Sequence, residues 1–369
     1  MHQPLPKLQQ IPPNVVSLGD YEELARERVS ASAWAYLSGG AGDEWTVAEN
    51  RAAYQRLTLR TRVLEDLGGG NTAVELFGRR FGAPILLAPV AYHRLFHPDG
   101  ELATVLAASA MQTGLIVSTQ ATTPIEDIAQ HAKSPVWFQL YVQPDRDFTA
   151  ALVRRAETAG YTALVVTVDA PVAGIRNREQ RAGFALPPDL DAVNLRGMRL
   201  PAMQPANNDQ LLLGGPLLAA AMTWRDVAWL RSLTRLPIIA KGIMTAEDAQ
   251  RAVAEGFDGI IVSNHGGRTL DTQPATIEVL GEVAAAVGDR VPVLCDGGIR
   301  RGSDVFKALA LGAKAVLIGR PYVWGLAAAG APGVAHVIRI LRAELEVTMA
   351  LCGCKDIAAI DKARVRRAP

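Results

Sequence analysis

The sequence predicts an α/β protein built on a (β/α)8 barrel, the TIM-barrel architecture. Three observations carry this expectation. From residue 84 onward, eight short apolar runs alternate with stretches of helical periodicity. Most of these runs are β-rich and apolar on both faces, as parallel strands covered by helices should be. Most runs carry polar or ionisable residues at or near their ends, as barrel strands do when they deliver side chains to one rim. An open doubly wound sheet fits less well, because no G-x-G-x-x-G opens a helix after the first strand.

Residues 1–80 precede the barrel and carry helical stretches such as "YEELARERVSASAWAYLSGG". We read them as an N-terminal extension packing on a barrel formed by residues 81–369. The strand candidates follow in order: "ILLAPV" (85–90), "LIVSTQ" (115–120), "VWFQLYV" (136–142) and "ALVVTVD" (163–169). Then come "PIIAKGI" (237–243), "GIIVSNHG" (259–266), "VPVLCDGG" (291–298) and "AVLIGR" (315–320). Capping signals frame the helices between them. Thr123, Pro124 and Glu126 read as an N-cap, a first-turn proline and a capping-box acid. Thr245 and Gly256 bracket one helix, and Ser303 and Gly312 another. The fourth and fifth runs begin 74 residues apart (237 minus 163), more than twice any other interval. The excess, residues 185–222, is rich in Pro, Asn, Gly and Leu, and at the catalytic end of a barrel such an insertion predicts a lid.

Bulk properties exclude several classes. Lys+Arg is 38 and Asp+Glu is 37, so no global field draws the protein to nucleic acid or anionic lipid. The most membrane-like run, "LLLGGPLLAAAM" at 211–222, is too short to span a bilayer and is broken by Gly-Gly-Pro. The N-terminus shows no basic region followed by an apolar core. Three cysteines, Cys295, Cys352 and Cys354, suit a reducing compartment, and the Cys-x-Cys pair lacks a metal-site spacing. A cytoplasmic protein without a metal site, a nucleic-acid partner or a membrane anchor is expected.

The rim carries the chemistry. Its residues are Pro89–Ala91, Ser118–Gln120, Gln139–Tyr141, Thr167–Asp169, Lys241, Ser263–Arg268, Asp296–Arg300 and Gly319–Arg320. The last two strands end in "DGGIRRG" and "IGRP", the place where barrels commonly bind phosphate. Arg300 and Arg320 supply charge-assisted contacts there, so a phosphorylated ligand or cofactor is inferred. Lys241 points into the barrel mouth, either as a Schiff-base lysine or as a fixed positive charge. In "SNHGGRTLD" (263–271), His265 is a candidate general base and Arg268 a candidate carboxylate clamp. Gly266 and Gly267 let the backbone turn between them. Asp169 is placed to hold the imidazole.

These motifs resemble a family. "SNHGGRTLD", "FQLYV", "TVDAP…R", "KGI", "DGGIRRGSDVFKALALGA" and "IGRP" are similar to those of the FMN-dependent α-hydroxy-acid oxidases and dehydrogenases, which include glycolate oxidase, lactate oxidase and mandelate dehydrogenase. The likeness runs from about residue 18 to about residue 360, in family order. It implies that FMN is the cofactor, that an L-2-hydroxy acid is oxidised to the 2-oxo acid, and that O2 takes the electrons and yields H2O2. By resemblance His265 is the catalytic base with Asp169 beside it. Arg176 and Arg268 hold the substrate carboxylate, and Tyr36 and Tyr141 hydrogen-bond the substrate. Lys241 lies beside the flavin, which favours the electrostatic role. Pro89, Val90, Ala91, Ser118, Gln139, Thr167 and Ser263 match flavin contacts. Asp296, Gly297, Gly298, Arg300, Gly319 and Arg320 match the ribityl and phosphate site. A homotetramer or larger assembly is implied as well.

Glycolate oxidase has a tryptophan where Gln120 stands, so a pocket open to lactate or a mandelate-like acid is expected. The C-terminal "KARVRRAP" is not a peroxisomal address. Three other readings remain: a dehydrogenase using another electron acceptor, a flavin-free phosphate-binding aldolase or isomerase, and a non-enzymatic barrel.

Overall fold

Eight parallel strands close into a barrel. They are Ile85–Leu87, Leu115–Ser118, Val136–Leu140, Leu164–Thr167, Ile238–Ile243, Gly259–Val262, Val293–Cys295 and Ala315–Ile318. The eighth pairs with the first through Val316–Ile85, Leu317–Leu86 and Ile318–Leu87, which leaves no free edge. This computed structural model describes residues 3–199, 213 and 215–368. The TIM barrel expected from the alternation of runs is the fold observed.

Both faces of each strand are buried, for different reasons. Leu86, Ile116, Trp137, Val165, Ile239, Ile261, Leu294 and Leu317 fill the barrel interior. Their neighbours along each strand pack outward against the helices. A hairpin, Val74–Leu76 with Arg79–Phe81, plugs the N-terminal end. Phe77 and Phe81 meet Trp137 edge-on with centroids at 5.5 and 6.0 Å. The opposite, C-terminal end is left for chemistry. The strands are shorter than the apolar runs because the last residues of most runs leave the ladder and become rim loops.

Two caps differ from the local pattern. The helix Ile125–His131 is preceded by Pro124, and Thr123 does not cap it. The Thr123 hydroxyl donates to buried Glu101 at 2.9 Å, and the Ile125 N–H goes to Asn194 Oδ1 at 3.1 Å. Glu126 is drawn away by Arg155, at 2.8 and 3.0 Å. The helix Gly302–Ala310 begins before Ser303. Asp304 accepts from the backbones of Arg300 and Arg301, and Glu344 from Gly302 N at 2.7 Å. In both cases a partner distant in sequence supplies what the local residue was expected to supply. Thr245 does cap its helix through Asp248 N, and Gly256 and Gly312 stand just past helix ends with φ of +97° and +110°.

Of the expected lid, residues 200–212 and 214 lie outside the described residues. Its preceding flank is fastened to the barrel by Asn194, which is buried and also donates to Thr123 O at 3.1 Å. The helix Arg320–Leu351 is long and apolar enough to cross a membrane, but most of it is buried in the protein. It is two helices joined where Ala329 and Gly330 leave helical geometry.

The N-terminal helices reach the C-terminal end of the barrel. Leu18–Arg28 lies on the last helix, with Tyr21 Oη 2.9 Å from His336 Nδ1. Ala31–Ser38 carries Tyr36. Trp45–Gln55 carries Asn50, whose amide exchanges two 2.9 Å hydrogen bonds with Asn264.

Candidate active site

Six side chains from six consecutive strands form a polar band across the barrel mouth. Ser118 Oγ donates to Gln139 Oε1 at 3.3 Å, and Gln139 Nε2 donates to Thr167 Oγ1 at 3.0 Å. On the far side Lys241 Nζ donates to Ser263 Oγ at 2.8 Å and lies 3.3 Å from Asp296 Oδ2. Burial opposes the Lys241 charge, but Asp296 and then Asp169 outweigh it and hold the ammonium above its ordinary value. A lysine kept charged is a poor Schiff-base nucleophile. Gly242 follows it with φ of +114°. A Cβ there would lie 2.5 Å from Asp169 Cβ, so only glycine lets the fifth strand pass that aspartate.

Beside the band stands the histidine. His265 Nδ1 lies 3.0 Å from Asp169 Oδ1. Burial pushes the Asp169 carboxyl up, yet His265 and Lys241 outweigh this and hold it below its usual range. An ionised Asp169 accepts from Nδ1–H, which fixes the ring with Nε2 facing the pocket. Tyr141 Oη is 3.4 Å from that nitrogen. Burial, followed by Asp169, pushes the Tyr141 phenol up, so it stays protonated and able to donate. His265, Gly266 and Gly267 all have positive φ, at 57°, 64° and 75°. A Cβ on Gly267 would meet Val47 Cγ2 at 2.8 Å and Val47 N at 2.9 Å. The glycines between His265 and Arg268 therefore serve two ends. They turn the chain sharply, and they let the extension dock onto the turn.

Both candidate clamp arginines face this pocket. Arg268 Nη1 donates to Tyr36 O at 2.6 Å and Gly39 O at 2.9 Å, and its guanidinium lies 5.0 Å from the Tyr36 ring centre. Arg268 Nη2 and Arg176 Nη1 converge on one oxygen, Oε1 of Glu179, at 3.0 and 3.1 Å. Tyr36 stacks on Phe184 at 4.6 Å and lies 6.2 Å from Tyr92. Tyr92 has φ of 58°, and its N–H donates to Gln120 O at 3.2 Å. Pro89, Val90 and Ala91 lead directly into it.

The seventh and eighth strand ends are rich in positive charge. Arg300 lies 4.7 Å from the Trp324 ring centre, and burial, then Arg51, push its guanidinium down. Arg320 is pushed down by burial, then by Arg268 and Arg300. Its guanidinium turns toward Leu37 O, Gly39 O and Gly266 O, at 3.0, 2.8 and 3.0 Å. It therefore ties the extension to the rim, and the N-terminus of its helix, next to Gly319, offers backbone donors instead. Guanidinium groups do not deprotonate in proteins, so their mutual repulsion is a standing demand for an anion.

A model of the FMN-dependent dehydrogenases matches residues 25–367. The chain belongs to the FMN-dependent dehydrogenase family. The FMN-dependent dehydrogenase fold and its cofactor are thereby set. The chain is 47% identical over 353 residues to an L-lactate oxidase from a Nostoc species, covering 94% of this chain and 96% of that one. It is 45% identical to a glycolate oxidase from Spinacia oleracea, covering 95% of each. A solved structure of mandelate oxidase with benzoyl-formic acid superposes with a TM-score of 0.87 at 43% identity, covering 96% of this chain and 98% of that one.

The residues present fit FMN. Arg300 Nε, Asp296 Oδ1 and Asp169 Oδ2 are buried without a partner. Gly297 and Gly298 have φ of +95° and +77°, and a Cβ on Gly298 would lie 1.9 Å from Asn50 O, so this positive-φ turn, of the kind that presents backbone amides to anions, requires glycine. The polar band matches the donor and acceptor edge of a flavin ring, and the arginine cluster matches its phosphate. Residues that the strand-end reading missed share one property: they act through others. Asn50 orients Asn264, and Glu179 meets both arginines. Asp271 accepts from the backbones of Asp43 and Thr46, at 2.9 and 2.8 Å, and so anchors the extension. Glu179, three residues after Arg176, was visible as an i,i+3 pair.

Proposed function

We propose that this protein is an FMN-dependent oxidase of L-2-hydroxy acids. It forms the 2-oxo acid, and O2 is reduced to H2O2. One observation carries the reading: an imidazole held by a buried carboxylate faces two arginines at the edge of the flavin-fitting band. When bound, FMN would supply the two-electron acceptor for the substrate and the donor for O2. Ser118, Gln139, Thr167, Lys241 and Ser263 would hold the ring, with Pro89, Val90 and Ala91 along it. Asp296, Gly297, Gly298, Arg300, Gly319 and Arg320 would hold the ribityl chain and phosphate. Lys241 keeps a positive charge beside the ring.

Arg268 and Arg176 bind the substrate carboxylate, Arg268 with its Nη1 already anchored to backbone carbonyls. Tyr36 and Tyr141 donate to the substrate. His265 Nε2 receives a substrate proton, and Asp169 stabilises the imidazolium so formed. The side-chain wall is made by Gln120, Tyr92 and the stacked pair Tyr36–Phe184. Gln120 is smaller than the tryptophan of glycolate oxidase, which supports L-lactate or a larger, mandelate-like acid over glycolate. A cytoplasmic location and a homotetramer or larger assembly are part of the proposal, and sedimentation of the purified protein tests the second.

The deciding experiment mixes the flavin-loaded protein anaerobically with glycolate, L-lactate, L-2-hydroxyoctanoate and L-mandelate, then admits air. We expect flavin bleaching, then recolouring with stoichiometric peroxide, fastest for an acid larger than glycolate. No bleaching by any of the four would refute the activity. Recolouring by a dye but not by air would make the protein a dehydrogenase instead.

A further inference from the structure

Glu179 occupies a position that the reaction has not yet used. Its Oε1 bridges Arg268 and Arg176, the two cations assigned to the substrate carboxylate, at 3.0 and 3.1 Å. Its side chain is 12% exposed and those of the arginines 17% and 24%, so water screens the three charges poorly. Resting on the reading of this site as a 2-hydroxy-acid pocket, we propose that Glu179 is a specificity-determining residue: it sets the net charge of the clamp so that one substrate carboxylate, and not two, is neutralised.

The two guanidiniums contribute two positive charges and Glu179 removes one. A monocarboxylate then brings the clamp to neutrality. A dicarboxylate leaves one negative charge unmatched in a largely enclosed pocket, which is unfavourable. The adjoining wall of Tyr36, Tyr92 and Phe184 is suited to a neutral side chain. Glu179 is not what holds Arg268 in place. Tyr36 O and Gly39 O already fix its Nη1 at 2.6 and 2.9 Å. A glutamine at 179 keeps an oxygen that accepts from both arginines, so Glu179→Gln changes the charge and preserves the geometry.

The test titrates the flavin-loaded protein with propionate and with malonate and follows the perturbation of the flavin spectrum. Wild type should bind propionate more tightly. Removing a charge at this range, at an effective dielectric near 20, should tighten propionate by at least about tenfold in Glu179→Gln, and malonate by more than propionate. Glu179→Asp should keep the wild-type preference. Arg176→Gln alters the same balance in the other direction and should weaken malonate more than propionate. It carries the test if Glu179→Gln fails to retain flavin. An unchanged propionate-to-malonate ratio in these charge variants, or weaker propionate binding in Glu179→Gln, would overturn the proposal. Bleaching of the wild-type flavin by L-lactate is scored separately. Its failure would sink the oxidase reading while leaving the anion selectivity to be judged on its own titrations.

Discussion

Replacing Asp169 by asparagine isolates the pair at the centre of the proposed chemistry. The carboxylate is buried, ionised and 3.0 Å from His265 Nδ1. The proposed chemistry requires the imidazole to take up a proton. As it takes the substrate proton it becomes charged, and only then does the full Coulombic attraction to Asp169 appear. At 3.0 Å and an effective dielectric of about 20, that attraction has a ceiling of about 5 kcal/mol. Asparagine still accepts from Nδ1–H and retains about 1 kcal/mol. His265 is 25% exposed, so solvent recovers a further share. A net loss of about 3–4 kcal/mol remains, or roughly 10²–10³-fold in rate. The assay is anaerobic stopped-flow bleaching of the flavin at saturating L-lactate. Asp169→Asn should bind flavin and substrate nearly as wild type and reduce the flavin 10²–10³-fold more slowly, within the error of that working. Reduction within about threefold of wild type would refute the reasoning, because the carboxylate would then contribute nothing specific to the transition state. A rise in KM with an unchanged limiting rate would move Asp169 from proton chemistry to substrate binding.

Three further outcomes are expected. Lys241→Met removes the cation 3.3 Å from buried Asp296, and stranding a buried carboxylate destabilises by about 3–5 kcal/mol. A clear fall in Tm and slower flavin reduction should follow, and an unchanged Tm would contradict the buried pairing. Gln120→Trp should shift relative kcat/KM toward glycolate by about tenfold, and an unchanged preference would show that residue 120 does not form the wall. Acid should erase the contribution of Asp169. Its folded carboxyl sits below the ordinary value, so its stabilisation is complete above about pH 4 and is lost as pH falls through the lower folded value. The gap in urea-unfolding free energy between wild type and Asp169→Asn should therefore narrow from pH 7 to pH 3. A constant gap would deny the depressed carboxyl.

The barrel was legible because its strands are short, apolar on both faces and separated by helical periodicity, a pattern that few other architectures impose. Their ends were less legible, because where a run leaves the ladder depends on the neighbouring strand. Capping failed where tertiary contacts intervened. Thr123 and Ser303 are sound local choices, but Glu101, Asn194 and Glu344 arrive from elsewhere and take over. The plug at Val74–Phe81 went unnoticed because its strands are three residues long and partly charged.

The site divides along the same line. Side chains carried by strand ends could be found, since position along a strand dictates that they meet at one rim. The contribution of the extension was legible only through the family resemblance, which named Tyr36, since no local pattern says that Ala31–Ser38 and Trp45–Gln55 dock there. The turn at 265–267 joins the two halves. A left-handed residue with a Cβ is disfavoured by roughly 1 kcal/mol, and His265 adopts that conformation. In return Nδ1 meets Asp169 while Nε2 faces Tyr141. The two glycines that follow admit Val47 and the Arg320 guanidinium at distances a Cβ would forbid. Gly267 O then accepts from Ala41 N at 2.8 Å, and Arg268 grips Tyr36 O and Gly39 O. The conformation that turns His265 toward Asp169 and Tyr141 is thus the one that seats the extension, so His265, Arg268 and Tyr36 are positioned by a single backbone turn.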